Sequence, residues 1–188
     1  MATISRRYAD ESVMNRAALE HIIRAAAVIS GDDEIIVIGS QAVLGSFPDA
    51  PASMLVSDEA DVYPKNHPER ADLIEGSIGE LSPFHETFGY YAEGAAPETA
   101  LLPIGWEARL VPLHNANTRG ATGWCLEIHD LVAAKLIAGR EKDVSYFDDA
   151  WRAAMISLDT LTDRIGSINA DPMVKQRALE RIAQRRGG

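Results

Sequence analysis

Two acidic residues, Glu59 and Asp61, stand two positions apart within residues 54–63. We expect this run to form a strand, in which both carboxylates would project from one face because alternate side chains share a face. Two carboxylates held so close repel each other unless a cation lies between them. The spacing therefore predicts a site for a divalent metal, Mg²⁺ or Mn²⁺. The alternative is an edge strand whose exposed face happens to carry two acids.

A second candidate element, Gly39-Ser40, follows the apolar, β-branched run of residues 35–38. Such a short run is typical of a fully buried strand, and Gly39-Ser40 stands where the strand would lead into a helix. A glycine lets backbone N–H groups come close to a ligand, and a helix start carries a partial positive charge. The pattern predicts a phosphate-binding turn. An ordinary Gly-Ser turn is the alternative.

Lys135 is the exception in residues 131–139, where every other side chain is apolar or small. A helix that is apolar on every face is normally buried, so its lysine needs a path to solvent or an anionic neighbour. We predict that Lys135 points into a cleft shared with Gly39-Ser40 and the two carboxylates. A surface lysine at the margin of the helix is the alternative.

The elements that must position these residues follow from periodicity and from capping residues. A helix is predicted from Asn15 to Gly31, because Gly31 stands at a C-cap position. Residues 1–14 are predicted to be a poorly ordered start, and residues 82–105 a loop or a short β-ribbon. The other predicted strands cover 34–38, 55–63, 107–113 and 124–128, and the other helices 41–45, 66–81, 130–139, 142–156, 159–168 and 172–186.

These elements predict an α/β fold with a small mixed sheet, helices on one side and a helical C-terminal appendage. We expect residues 1–128 to form the core and residues 129–188 to pack on it as one compact body. Acidic residues outnumber basic ones, 28 to 18, which argues against a general polyanion binder. No run approaches a membrane span or a signal-peptide core. The lone Cys125 fits a reducing cytoplasm, and the five scattered histidines lack zinc-ligand spacing.

With the segment from Ile128 to Asp143 added, the chain resembles the nucleotidyltransferase superfamily with a DNA polymerase β-like fold. It is most similar to the bacterial branch that contains the AbiEii-type toxins of type IV toxin-antitoxin systems. The resemblance covers residues 34–151. It places the family's nucleotide-binding turn on Gly39-Ser40, its metal carboxylates on Glu59 and Asp61, its helix lysine on Lys135 and its final acid on Asp143.

Two features depart from the commonest pattern of that superfamily. The spacer between Gly39-Ser40 and Glu59 is long, and the first carboxylate is Glu where Asp is usual. A third carboxylate on a neighbouring strand is common among polymerase-like members, and we expect Glu107 to be its holder here.

The resemblance implies metal-dependent transfer of a nucleotide from an NTP, with Lys135 and Asp143 counted among the catalytic residues. The acceptor hydroxyl would belong to a tRNA 3′ end, a protein or a small molecule. The chain would then be a cytoplasmic toxin or phage-defence protein with an antitoxin as partner. The alternative is a catalytically inert module that binds a nucleotide or a partner protein through the same cleft.

Overall fold

The computed structural model describes residues 14–187 of the protein. The predicted poorly ordered start therefore lies outside the described residues, except for Met14. The side chain of Met14 is 1% exposed and belongs to the hydrophobic core.

Within the described residues, the first two thirds of the chain contain all five strands and three α-helices, and the last third is helical. The strands are β1 (Glu34–Val37), β2 (Glu59–Pro64), β3 (Tyr91–Gly94), β4 (Val111–Leu113) and β5 (Thr122–Cys125). The α-helices are α1 (Arg16–Ser30), α2 (Ala71–Ile78), α3 (Pro83–Phe88), α4 (Ile128–Ala138), α5 (Glu141–Arg152), α6 (Leu158–Ser167) and α7 (Pro172–Arg186).

The five strands form one mixed sheet in the order β3-β2-β1-β5-β4. Strand β1 is central, antiparallel to β2 and parallel to β5, while β3 is parallel to β2 and β4 antiparallel to β5. The apolar residues of β1 are buried on both faces, as its β-branched run predicts. The predicted fold class, an α/β fold with a mixed sheet and a helical C-terminal region, is confirmed.

Helices α1 and α2 pack against one face of the sheet, which leaves the acidic residues of β2 on the other. Gly123 lies directly under the side chain of Ile23 in α1. Gly123 pairs with Ile35, which in turn pairs with Pro64 of β2. Because side chains alternate along a strand, Asp61 points away from the face that α1 covers.

Capping residues set the ends of the helices that the sequence predicts best. The side chain of Asn15 accepts a hydrogen bond from the N–H of Ala18, and Gly31 closes α1 with a φ of 68°. Asp171 caps α7 in the same way, accepting from the N–H of Met173, with Pro172 in the first turn. Both helices were expected at these positions.

The region between α2 and β4 corrects two predictions. Residues 82–105 contain helix α3, because Ser82 and Pro83 form an N-terminal cap, and strand β3, which pairs with β2 instead of forming a separate ribbon. The predicted strand 107–113 is a 3₁₀ helix, Trp106–Arg109, followed by the short β4. Strands β3 and β4 are short and depend on pairing across the sheet, which has no local signature, whereas the Ser82-Pro83 cap of α3 is a local signal.

The C-terminal helices contact the sheet region mainly through two short 3₁₀ helices. Helix α4 packs on the 3₁₀ helix Ser40–Gly45, and α5 packs on the 3₁₀ helix Ala52–Met54. The division at residue 128 stays a prediction. Across residues 14–187, none of the helices combines the length and the apolar character that crossing a bilayer requires.

Candidate functional site

A cavity of about 730 Å³ opens beside the carboxyl end of β1. Its walls come from the turn after β1, from the uncovered face of β2 and β3, from helix α4, and from the junction of α6 and α7. One part of the lining carries charged side chains and another is apolar. The lining residues are Ile38, Gly39, Ser40, Glu59, Asp61, Glu93, Thr99, Ala100, Leu101, Leu131, Ala134, Lys135, Ile137, Ala138, Arg140, Lys142, Ala170, Asp171 and Val174.

The turn after β1 lies directly against a carboxylate. Any Cβ atom at Gly39 would overlap Oδ2 of Asp61, so only glycine fits this position without moving the acid. The strand ladder sets this contact, because the N–H of Ile38 donates to the carbonyl of Asp61 at 3.1 Å. Ser40 then begins the 3₁₀ helix, whose first N–H groups have no acceptor within the helix.

Glu59 and Asp61 share the uncovered face of β2, as their spacing predicts. Burial is the main cause that raises the pKa of the Asp61 carboxyl, and the charge of Glu59 raises it further. The charges of Lys135 and Lys142 offset part of this increase. Within residues 14–187, neither carboxylate lies within ion-pair distance of a Lys, Arg or His nitrogen. Two partly buried negative charges thus stand together without a paired cation.

A third carboxylate comes from Glu93, which sequence reasoning missed. Strand β3 pairs in parallel with β2 and places Glu93 beside Asp61. The side chain of Glu93 is exposed to the cavity, and desolvation there, followed by the charges of Asp61 and Glu59, raises the pKa of Glu93. Glu107, the expected third acid, is exposed on the 3₁₀ helix Trp106–Arg109 and does not line the cavity. The pairing of β3 with β2 is what brings Glu93 to the cavity, and the sequence predicts only a loop or ribbon for residues 82–105.

Lys135 lines the same cavity as Gly39, Ser40 and the two carboxylates, which is the location predicted for it. Its side chain is only 12% exposed, and its Nζ lies 3.4 Å from Oδ1 of Asp143. Burial lowers the pKa of the Lys135 ammonium group, and Asp143 offsets only part of that effect.

Asp143 lies behind Lys135, is fully buried and does not line the cavity. Arg140 donates from Nε to Oδ2 of Asp143 at 2.7 Å and from Nη2 to Oδ1 at 3.3 Å. Burial alone would raise the pKa of Asp143, but the hydrogen bonds from Arg140 and the charge of Lys135 outweigh burial and lower it. The structure therefore places Asp143 where it holds two cations, not where it would touch a ligand.

Tyr146 of α5 connects the two sides of this site and was not predicted. Its hydroxyl donates to the carbonyl of Ser40 at 2.8 Å, and the Nζ of Lys135 lies 4.6 Å from the centre of its ring. The side chain is buried, which raises the pKa of the Tyr146 hydroxyl. One residue thus fixes both the turn and the lysine.

The donor set suits a hard divalent cation. Carboxylate oxygens are the ligands that Mg²⁺ prefers, and Mg²⁺ usually takes one or two protein carboxylates together with phosphate oxygens and water. The raised pKa of Asp61, with no paired cation, indicates where a cation would be favoured. Among residues 14–187, no group of three or more His, Cys, Asp or Glu side chains could hold a metal ion alone. A metal here would thus complete its coordination with water, or with oxygens of a bound substrate.

Comparison with known proteins gave one family match. No curated protein and no solved structure matches the chain significantly. The sequence model of a family described as "Nucleotidyltransferase of unknown function (DUF6036)" matches residues 17–183. The closer resemblance to AbiEii-type toxins stays a prediction, while the predicted relation to nucleotidyltransferases is confirmed. Since the match spans most of the chain, the protein belongs to this family of nucleotidyltransferases.

Proposed function

We propose that this protein transfers a nucleotide from an NTP to an acceptor hydroxyl in a metal-dependent reaction that releases pyrophosphate. The observation that carries the proposal is the convergence of three distant chain segments on one cavity. These are the Gly39-Ser40 turn, the acidic strand with Glu59 and Asp61, and Lys135 of α4. Each is a common feature by itself, but their meeting in one place has no evident structural need.

The cations of the cavity would bind the triphosphate. Lys135, Arg140 and Lys142 all line it, so that phosphate oxygens in the cavity would meet three positive side chains. The N–H groups at Gly39 and Ser40 would add neutral donors on the side of β1. Glu59 and Asp61 would hold the metal, which supplies a Lewis acid that neutralises phosphate charge during transfer.

Glu93 is the group that would accept the proton of the acceptor hydroxyl. The acceptor oxygen would bond to the α-phosphorus, the bond from that phosphorus to the bridging oxygen would break, and pyrophosphate would leave. Glu93 lines the cavity with an exposed side chain, so an acceptor hydroxyl bound there could reach it. Its place beside Asp61 at the cavity also puts it close to the proposed metal site.

The proposal specifies the acceptor only as a hydroxyl group. The resemblance to AbiEii-type toxins supports a tRNA 3′ end or a protein hydroxyl, and would make an antitoxin protein the partner. The second candidate is an inert module that binds a nucleotide or a partner without transferring anything. The observation in its favour is Glu59, because a longer side chain changes how the first carboxylate reaches a metal.

Transfer of label from each α-labelled NTP tests the proposal. The purified protein is incubated with Mg²⁺, total tRNA and a protein extract, and labelled products and pyrophosphate are measured. Asp61→Asn should reduce transfer about 100- to 1,000-fold, as loss of one electrostatic group at a reaction centre does. Asp72→Asn, at an exposed carboxylate on α2, is the matched control and should change nothing.

Transfer that survives Asp61→Asn would contradict the proposal. If the wild-type protein binds NTP with Mg²⁺ but transfers nothing to any of these acceptors, the inert module is favoured instead.

A further inference from the structure

We propose that Tyr91 is a positioning residue that holds the carboxylate of Glu59 in place for the divalent metal. This inference rests on the proposed function, since it assigns a supporting residue to the same metal site. Tyr91 would not touch the nucleotide; it would act through Glu59.

The contact that carries the inference is a hydrogen bond between side chains of neighbouring strands. Tyr91 donates from its hydroxyl to Oε2 of Glu59 at 3.0 Å. Glu59 and Tyr91 are also paired residues in the β2–β3 ladder, so their side chains lie on the same face of the sheet. One carboxylate oxygen is thereby held, which restricts how the Glu59 carboxylate can turn within the cavity.

The ring of Tyr91 is itself held in position. Only 9% of Tyr91 is exposed, and the His85 ring packs on it with centroids 4.6 Å apart. The His85 ring is fixed in turn, because its Nδ1 accepts a hydrogen bond from the N–H of Leu81 at 3.0 Å. The backbone N–H of Tyr91 donates to the carbonyl of Asp58 at 3.0 Å. The hydroxyl therefore reaches Glu59 from a preset position.

The two acids of β2 differ in how much they need such support. Asp61 has a short side chain that lies against Gly39, and this close contact restricts it. Glu59 is one methylene longer, has one more rotatable bond and begins its strand, so more conformations are open to it. A hydrogen bond that selects one conformation reduces the entropy lost when a metal binds. Tyr91 supplies that bond.

Binding of Mn²⁺ in the absence of NTP tests this role without relying on turnover. The free Mn²⁺ signal in electron paramagnetic resonance gives the dissociation constant for the full chain. Tyr91→Phe removes only the hydroxyl and should weaken Mn²⁺ binding about fivefold, which is about 1 kcal/mol. Tyr90→Phe is the matched control, because Tyr90 bonds to His21 at 2.9 Å instead, and it should leave Mn²⁺ binding unchanged.

A double-mutant cycle separates positioning from a general effect on the fold. Glu59→Asp shortens the acid beyond reach of the hydroxyl, so adding Tyr91→Phe to that variant should have no further effect. An equal loss in both backgrounds would show that Tyr91 acts on stability and would overturn the inference. The cycle also remains informative if Tyr91→Phe lowers the melting temperature. A loss of Mn²⁺ affinity that came from lower stability would appear in both backgrounds.

Asp61→Asn distinguishes failure of this inference from failure of the proposed function. If Asp61→Asn weakens Mn²⁺ binding and Tyr91→Phe does not, Tyr91 has no positioning role while the metal site stands. If the wild type does not bind Mn²⁺, or if Asp61→Asn binds it equally well, the metal site itself is wrong.

Discussion

Asp61 and Asp143 lie at or beside the same cavity, and the protein places them in opposite environments. Asp61 has another acid beside it and no paired cation within the described residues, and its pKa is raised by burial and by Glu59. Asp143 is fully buried, but Lys135 and Arg140 both bond to it, and its pKa is lowered. One negative charge is left uncompensated, whereas the other is already neutralised.

This difference distinguishes an acid that would bind a ligand from an acid with a structural role. The sequence alone predicts a role in the site for both. A partly buried charge without a partner costs stability in the free protein, so its presence points to a cationic ligand. A charge with two cationic partners has a structural explanation already. We therefore propose that Asp61 binds the metal, and that Asp143 acts by holding Lys135 and Arg140 at the cavity.

Among the variants that test this comparison, Asp143→Asn is expected to have the largest effect, and the effect is on the free energy of unfolding. The substitution leaves the poorly exposed Lys135 without its partner, so the free energy of unfolding should fall by about 3 kcal/mol. Urea denaturation measures the change. Asp148→Asn is the matched control, because the Asp148–Arg185 pair is partly exposed and its loss should cost less than about 1 kcal/mol. Equal losses in the two variants would show that Asp143 has no special structural role.

Gly39→Ala tests the other side of the comparison by displacing Asp61 without changing its charge. The added Cβ forces the Asp61 carboxylate to move, so nucleotide transfer should fall by at least about 100-fold, or 2.7 kcal/mol. Gly76→Ala is the control, since a Cβ there meets nothing within 4 Å on the exposed side of α2. It should retain activity and gain slight stability from the better helix former. Full activity in Gly39→Ala would contradict the placement of Asp61 at the reaction centre.

Lys135 stands between the two acids. Its removal should have a smaller effect than the substitution of Gly39. Lys135→Ala should lower NTP affinity or transfer by at least about tenfold, or 1.4 kcal/mol. Calorimetric titration with NTP and Mg²⁺ measures the affinity, and a melting curve shows whether the variant is folded. Lys65→Ala, which removes a lysine bonded to Glu34, should bind NTP normally. Unchanged NTP affinity and turnover in Lys135→Ala would make Lys135 a partner of Asp143 only.

The pH dependence of the free energy of unfolding should also distinguish the two acids. This is the smallest of the expected effects. The folded pKa of Asp143 is lowered, so its contribution is present above the unfolded pKa of about 3.9 and is lost as the pH falls further. The folded pKa of Asp61 is raised, so its unfavourable contribution is present at neutral pH, begins to decrease as the pH falls through that folded pKa and is gone below the unfolded pKa. The stability difference between wild type and Asp61→Asn should thus vanish at a higher pH than the difference for Asp143→Asn. Urea denaturation from pH 7 to 3 would show the opposite order if the two environments were assigned wrongly.

Local patterns in the sequence predict much of this site. Asn15 and Gly31 predict the ends of α1 from capping alone. The spacing of Glu59 and Asp61 predicts their common face, because strand periodicity fixes it wherever a strand forms. The burial of Lys135 was expected for a helix that is apolar all round.

What could not be predicted depends on contacts between distant segments. Glu93 reaches the cavity only because β3, four residues long, pairs with β2. The hydrogen bond from Tyr146 to Ser40 joins residues that are 106 positions apart. Pairing and packing over such distances leave no periodic signal in the chain. The partners of Asp143 are close in sequence, but the sequence does not say that this acid is buried behind Lys135.

The most direct test of the central claim is the effect of Asp61→Asn on the free energy of unfolding, measured with and without ligand. In metal-free buffer the variant should be as stable as the wild type or slightly more stable, because a repulsive charge is gone. With Mg²⁺ and NTP at a hundred times the dissociation constant, the wild type should gain about 2.7 kcal/mol and the variant far less. The gain of the wild type should also be much smaller without Mg²⁺. A loss of about 1 to 3 kcal/mol in metal-free buffer, as expected when a structural hydrogen bond is removed, would contradict the account.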